Sequence, residues 1–323
     1  MFPHPLLIAD IGGTNARFAL SDHPGAEPRM LARLKTADFA SPALAINAAI
    51  SGLPYAPRSA ILCVAGPVVD RRCHLTNAAW TIDGPALATE LGFEQGLLLN
   101  DFEAQALSLP VHRDAWLTQI GTLGRSPQDS PRVILGPGTG LGIGALIDVN
   151  DCFVPIPSES CHIDFGPVEE DEFPLWQHLE RVHGRITTES VMSGPGLVRL
   201  YHARLAERGE NAPEINGSKI VNVALSDQNS LERTIVDLYV RLIARFAGDI
   251  AITFLATGGV TLAGGILPRI TPIIDHTAFR TAFEKKAPVD RLSKTISTHL
   301  LNETDAVLHG MGAIGGAPER YAL

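Results

Sequence analysis

The sequence predicts an α/β protein of two domains, and three observations lead there. The segment Leu6 to Leu20, LLIADIGGTNARFAL, reads as two short apolar strands joined by a glycine-rich turn, and Ile134 to Leu146, ILGPGTGLGIGAL, repeats that plan at the start of the second half. Between and after the two copies, apolar strands alternate with helical segments, the mark of a layered α/β domain. The chain has 323 residues, 45% hydrophobic and 19% charged, which is enough for two domains with a core each.

In the first copy an apolar run ends in Asp10, turns through Gly12-Gly13-Thr14-Asn15 and resumes as strand. Adjacent glycines admit a positive φ and leave no Cβ in the way of a ligand. Thr14 and Asn15 add a hydroxyl and an amide, and exposed N–H groups in such a turn form an anion-binding concavity. Asp10 stands where it could face a metal-bound phosphate. A strand-GG-strand is also an ordinary β-hairpin, but the second copy favours a phosphate hairpin. It lies over Ile8 to Leu20 without a gap and is identical at Ile8/Ile134, Gly12/Gly138, Ala19/Ala145 and Leu20/Leu146. Two such hairpins facing each other across a cleft would grip a polyphosphate from both sides. A Walker A loop is excluded, since the chain has no Gly-Lys pair. The nearest dinucleotide fingerprint, Gly140-x-Gly142-x-x-Ala145, runs on into strand instead of helix.

Further along, Arg29 to Thr36 supplies a third strand, and Ser41-Pro42 opens a helix that ends at Gly52. Ser59 to Ala65 is a buried strand, residues 70–80 form a loop or short hairpin with Trp80 in the core, and Asp83 caps a helix stopping at Gly92. Gly96 to Leu99 is a strand ending in Asn100-Asp101, followed by the helix FEAQALSL, closed by Pro110. The expected domains are 1–111, completed by a C-terminal helix within 301–323, and 112–300, with a hinge near 110–113. In the second domain helices are expected at 169–183, 195–208 and 230–254. A strand then lies between Gly258-Gly259 and Gly264-Gly265, a helix opens at Pro268, and the last helix, Glu303 to Gly315, packs back on the first domain.

The net charge of −9 and the lack of any basic block argue against nucleic acid or an anionic membrane as partner. The most apolar long segment, Ile235 to Leu255, carries Asp237, Arg241, Arg245 and Asp249 and reads as an amphipathic helix, not a membrane span. Cys63, Cys73, Cys152 and Cys161 have no metal-ligand spacing and no dense disulfide pattern, and the first strand follows the N-terminus with no room for a signal peptide. A cytoplasmic location is expected.

Asn100-Asp101 lies at the carboxyl end of a buried strand, where ligands bind in open α/β sheets. A carboxylate there can accept the proton of a hydroxyl attacking phosphorus; alternatively Asp101 only caps the helix at Phe102. Glu159 and His162, three apart in Ser158-Glu159-Ser160-Cys161-His162, share a face of a turn and offer acceptors and a donor to vicinal sugar hydroxyls. They could equally be a surface carboxylate and a satisfied histidine. Glu189, ahead of Ser193-Gly194-Pro195-Gly196, is either a third polar contact or a solvated helix-end carboxylate, and the Gly-Pro-Gly fixes the start of a helix. Gly264-Gly265 permits either close approach to a flat ring or tight packing.

Taken together, these segments resemble the bacterial glucokinase family, of the proteobacterial type without structural zinc, within the actin-like ATPase and sugar-kinase superfamily. The resemblance runs through LIADIGGTNARFAL, TNAAW (Thr76 to Trp80), LNDFEAQALSLP, GPGTGLGIG, ESCHIDFGP, SGPGLVRLY, LAGGILPRI and AFEKK. It implies a two-domain, ribonuclease H-like sugar-kinase fold with an interdomain cleft, in which ATP with Mg²⁺ phosphorylates glucose at its 6-hydroxyl, in a homodimer. By the same resemblance Asp101 is the catalytic base, and Asn100, Glu159, His162, Glu189 and Gly138 contact the sugar. Asp10, Gly12, Gly13, Thr14, Asn15, Gly138 and Thr139 hold the phosphates, with Gly264 and Gly265 at the adenosine. No protein motif binds metal directly; Mg²⁺ arrives on ATP, with Asp10 reaching it through water. Another hexose (mannose, fructose or an amino sugar), or a catalytically silent sugar-binding regulator, are the competing readings. The family usually has Glu-Gly-Gly-His where this chain has Glu159-Ser160-Cys161-His162, which restricts the loop and adds a thiol.

Overall fold

The computed structural model describes residues 1–75, 80–122, 127 and 129–323. The expected TNAAW motif therefore lies, but for Trp80, outside the described residues. Contacts divide the chain into two units. The first comprises Met1–Arg113, Leu146–Ile156 and Glu303–Leu323; the second comprises Asp114–Ala145 and Pro157–Asn302.

In the first unit β1 (Leu6–Ile11) and β2 (Asn15–Ser21) form the expected antiparallel hairpin, and β3 (Arg29–Lys35) pairs with β2. The fully buried β4 (Ser59–Val64) lies parallel to β1, a small hairpin of β5 (Arg72–His74) and β6 (Thr81–Asp83) follows, and β7 (Gln95–Asn100) lies parallel to β4. The five-stranded order is β3-β2-β1-β4-β7. Apolar side chains from both faces of this sheet, Ile8, Phe18 and Ile61 among them, are sealed from solvent. Helix α1 (Pro42–Ile50) starts where Ser41 accepts a hydrogen bond from the Leu44 N–H, and α2 (Gly84–Glu90) where Asp83 accepts from Ala86. Trp80 is buried, and its indole N–H donates to the Phe39 carbonyl. Helix α3 (Asp101–Ser108) follows β7 without a break, and the C-terminal helix, Ala306–Gly316, packs against it so closely that a Cβ at Gly310 would come within 2.5 Å of the Ser108 Cβ.

The second sheet runs β11-β10-β9-β12-β13-β8, from β8 (Leu117–Ile120), β9 (Arg132–Pro137), β10 (Leu141–Val149), β11 (Cys152–Ser158), β12 (Val260–Leu262) and β13 (Thr298–Leu301). The alignment that lays Ile8 over Ile134 also lays Leu6 over Arg132, Ile11 over Pro137 and Asn15 over Leu141. Both outgoing strands end, and both return strands begin, in register. The helix expected at 169–183 is reduced to the single turn α4 (Phe173–Trp176). Pro174 confines it to a start at 173, and further on His183 (φ 50°) and Gly184 (φ 80°) reverse the chain between bridged Val182 and Arg185. Helices α5 (Thr188–Met192), α6 (Gly194–Glu207), α7 (Gly217–Ser226) and the long α8 (Leu231–Thr253) come next. The helix expected from Pro268 is one turn, α9 (Leu267–Ile270), ended before Pro272, and α10 (His276–Glu284) and α11 (Asp290–Ser293) complete the unit. Among the described residues no helix is long and apolar enough to cross a membrane.

Candidate active site

The candidate residues Asp10 to Asn15, Asn100 and Asp101 belong to the first unit, and Gly138, Thr139, Glu159, His162 and Glu189 to the second. In the first, the bend after β1 is closed by the Gly12 N–H donating to the Asn15 carbonyl (2.9 Å). It is braced from the end of β3, where the Thr36 hydroxyl donates to the Gly13 carbonyl (2.7 Å) and the Thr36 N–H to Thr14 (3.0 Å). Thr14 and Asn15 are exposed. The left-handed backbone expected of Gly12 and Gly13 is not adopted; at Gly12 a Cβ would lie 3.2 Å from the Asn15 carbonyl, so the tight closure of the bend favours glycine there. Asp10 is paired across the hairpin with Arg17, whose guanidinium donates through Nε (3.0 Å) and Nη2 to Oδ2. Arg17 also holds Asp305, at the start of the C-terminal helix (2.9 Å), while the Cys63 thiol, adjacent on β4, points to Asp10 Oδ1 (3.4 Å). Both oxygens of Asp10 are thereby engaged.

The Asn100-Asp101 pair closes β7 and opens α3. The cap is Asn100, not Asp101. Its Oδ1 accepts from Phe102 (2.9 Å) and Glu103 (3.1 Å), and Glu103 accepts from the Asn100 N–H (3.2 Å) in a reciprocal capping box. The Asn100 amide donates to the Gly66 carbonyl (2.9 Å) and to Asp101 Oδ1 (3.0 Å), so it orients the carboxylate beside it. Asp101 is pushed up to about 7, chiefly by burial and then by Asp10, against hydrogen bonds from the Phe102 and its own N–H and from Asn100. A carboxyl group that titrates near neutrality is poised to take a proton.

In the second unit the bend Gly138-Thr139-Gly140 is closed by the Gly138 N–H on the Gly140 carbonyl (2.8 Å), while the Gly194 N–H at the start of α6 donates to the Gly138 carbonyl (2.8 Å). Glu189, half-buried on α5, accepts from the Leu141 N–H (3.0 Å), and a Cβ at Gly140 would sit 2.5 Å from its Oε2. It is thus a bound carboxylate that ties α5 to the bend. The loop 159–162 is a 3₁₀ turn, with the Thr188 hydroxyl donating to the Cys161 (2.5 Å) and Ser160 (3.1 Å) carbonyls. Neither Ser160 nor Cys161 adopts a left-handed φ, so the turn forms without glycine. Glu159 Oε2 lies 3.5 Å from His162 Nε2, and both side chains are more than half exposed. The Cys161 thiol is buried and pushed up to about 12 by desolvation, Glu159 and Glu189.

Two cavities adjoin the bend. One, of about 300 Å³, is lined by Thr139, His162 and Glu189 together with His183, Arg185 and Arg199. The other, of about 280 Å³, is lined by Gly138, Thr139, Gly194, Pro195, Leu197, Val221, Ile266 and the polar set Asn216, Ser218 and Arg269. Thr139 and Pro195 border both. Gly264 and Gly265 line neither. Gly264, at φ 89°, passes so close to β9 that a Cβ would meet the Pro137 carbonyl at 2.2 Å, whereas Gly265 faces open space. The contribution of Asn216 and Ser218 was not foreseen, although Asn216-Gly217-Ser218 is a readable helix start: Asn216 caps α7 through the Lys219 N–H (2.9 Å).

The sequence model of the family described as glucokinase matches residues 7–316. A glucokinase of Rhizobium meliloti (strain 1021) is 42% identical over 323 residues, covering 100% of this chain and 95% of that protein. Among solved structures, a glucokinase from an Antarctic psychrotroph superposes with a TM-score of 0.82 at 30% identity, over 95% of this chain and 97% of that one. The glucokinase of Balamuthia mandrillaris in complex with glucose shares the fold, with a TM-score of 0.80 at 20% identity over 96% and 93%.

Proposed function

Because the chain belongs to the glucokinase family, we propose that it transfers the γ-phosphoryl group of ATP to the 6-hydroxyl of glucose, with Asp101 as general base. The observation that carries the assignment of the base is the buried carboxyl of Asp101, raised to about 7 and oriented by Asn100. In that state it accepts a hydroxyl proton near neutral pH while remaining a weak enough base to release it afterwards. Glu159, His162 and Glu189 take the remaining sugar hydroxyls. Asn100 already commits its amide to Gly66 and Asp101, so its service to the sugar is through the base it positions.

The phosphates are assigned to the two bends, Gly12-Gly13-Thr14-Asn15 and Gly138-Thr139, where the exposed Thr14, Asn15 and Thr139 offer hydroxyl and amide donors to an anion. Thr139 borders both cavities, which supports a nucleoside in the cavity of Asn216, Ser218 and Arg269, the sugar in that of His162 and Glu189, and the transferred group beside Thr139. Mg²⁺ accompanying the triphosphate would supply positive charge to its oxygens. Asp10 offers a hard carboxylate to that ion, but with both oxygens engaged by Arg17 and Cys63 it fits an outer-sphere role, through water. A dimer in the cytoplasm is the assembly and place this reading adopts from the family.

Asp101→Ala tests the assignment. Turnover should fall by roughly 10²–10⁴-fold, the usual range for a lost general base, while calorimetry still detects glucose binding. Near-normal turnover would remove Asp101 from the mechanism. A hexose panel run with ATP and with polyphosphate identifies the sugar and the donor.

A further inference from the structure

We propose that Glu159, Cys161 and His162 form a binding site for a thiophilic divalent cation such as Zn²⁺. One donor atom from each lies within 4.8 Å of the others. Cys161 Sγ is 3.7 Å from Glu159 Oε2, and His162 Nε2 is 3.5 Å from the same oxygen. Metal–ligand distances of about 2.0–2.3 Å at tetrahedral angles place neighbouring donors about 3.3–3.6 Å apart. The two separations from Glu159 Oε2 already match that spacing to within a few tenths of an ångström, and closing the Cys161–His162 pair from within 4.8 Å lets the three groups share an ion.

The donor set is also selective. A thiolate and an imidazole with one carboxylate suit Zn²⁺ and poorly suit Mg²⁺, which takes hard oxygens in octahedral array. Three protein ligands leave a fourth position of the tetrahedron for water. The 3₁₀ turn that brings the donors together is held from behind by the Thr188 hydroxyl, so the site stands on a fixed backbone. Cys161 completes the set.

The consequence for catalysis rests on the reading that Glu159 and His162 take sugar hydroxyls. A cation held by those two groups occupies the atoms the sugar needs, so metal and glucose exclude each other. Uptake of the metal itself does not depend on that reading.

The test is titration of the full-length protein with Co²⁺, free of nucleotide and of glucose, followed by absorbance. The expected result is a thiolate-to-cobalt charge-transfer band with the intense visible bands of a tetrahedral centre, at one ion per chain. Zn²⁺ should abolish the signal and excess Mg²⁺ leave it unchanged. Cys161→Ala, confirmed as folded by an unchanged melting temperature, should lose the charge-transfer band, and His162→Ala should weaken uptake by at least roughly tenfold. Absence of the band in the parent protein, or its persistence in Cys161→Ala, overturns the proposal. If the band depends on Cys161 but glucose fails to weaken Co²⁺ binding, the metal site stands, and it is the assignment of Glu159 and His162 to the sugar that falls.

Discussion

Asp101 shows how one carboxyl group acquires a useful proton affinity. Burial penalises its anion, and Asp10 adds a like charge; the N–H groups at the start of α3 and the Asn100 amide pull the other way without cancelling the rise to about 7. The sign of the consequence is fixed. The base works as the anion, so kcat should be constant at alkaline pH and fall tenfold per unit below a midpoint near 7. Removing the second-largest cause, in Asp10→Asn, should move that midpoint to lower pH. A kcat profile flat from pH 5 to 8 would contradict the assignment. Asn100 and Glu103 form the capping box, and the Asn100 amide, also bonded to the Gly66 carbonyl, orients the Asp101 carboxylate. That division of labour could not be read from the dipeptide, because either residue type makes a good N-cap.

At the level of elements, the second bend depends on a close passage between the end of β9 and the turn after β12. Gly264→Ala would place a Cβ 2.2 Å from the Pro137 carbonyl at a residue with φ 89°. The cost should be at least roughly 2 kcal/mol, since both the left-handed backbone and the clash oppose it. Gly265→Ala, with nothing within 4 Å of the added carbon, is the near-neutral control, and denaturant melts of the two variants make the comparison. The buried Thr188 hydroxyl is one of the fastenings of the 3₁₀ turn of 159–162. Thr188→Val removes its bonds to the Cys161 and Ser160 carbonyls and should cost about 1–2 kcal/mol. If the turn presents Glu159 and His162 to glucose, KM for glucose should rise several-fold while kcat changes by less than about twofold. Elements set by strong local signals, such as Ser41-Pro42 opening α1 and Ser193-Gly-Pro-Gly opening α6, follow the sequence closely. The segment 169–183 does not. There the buried Glu172 accepts from the Val168 N–H (2.8 Å) and pairs with Arg245 (2.7 Å), partners separated by more than seventy positions in the latter case.

For the molecule as a whole, the two large sheets repeat one plan. In each, two consecutive hairpin-linked strands lie to one side of the first strand (β3-β2-β1 and β11-β10-β9), and two parallel strands lie to the other (β4-β7 and β12-β13). A ligand that binds only the folded chain stabilises it by mass action. Glucose at a hundred times its Kd should add about 2.7 kcal/mol and raise the melting temperature by several degrees, in Asp101→Ala as in the parent. A melting temperature unmoved by glucose would remove the sugar site.

The sequence by itself determined the duplicated hairpins, the strand that delivers Asn100 and Asp101, and the shared face of Glu159 and His162. Each rests on contacts within a few residues, where turn chemistry and the period of apolar positions suffice. Only the tertiary structure decided that Cys63 points to Asp10, that Glu189 bonds the backbone of Leu141, and that Asn216, Ser218 and Arg269 line the cavity beside Thr139. These depend on desolvation and on hydrogen bonds between segments far apart in the chain, and no local pattern encodes which distant group will arrive.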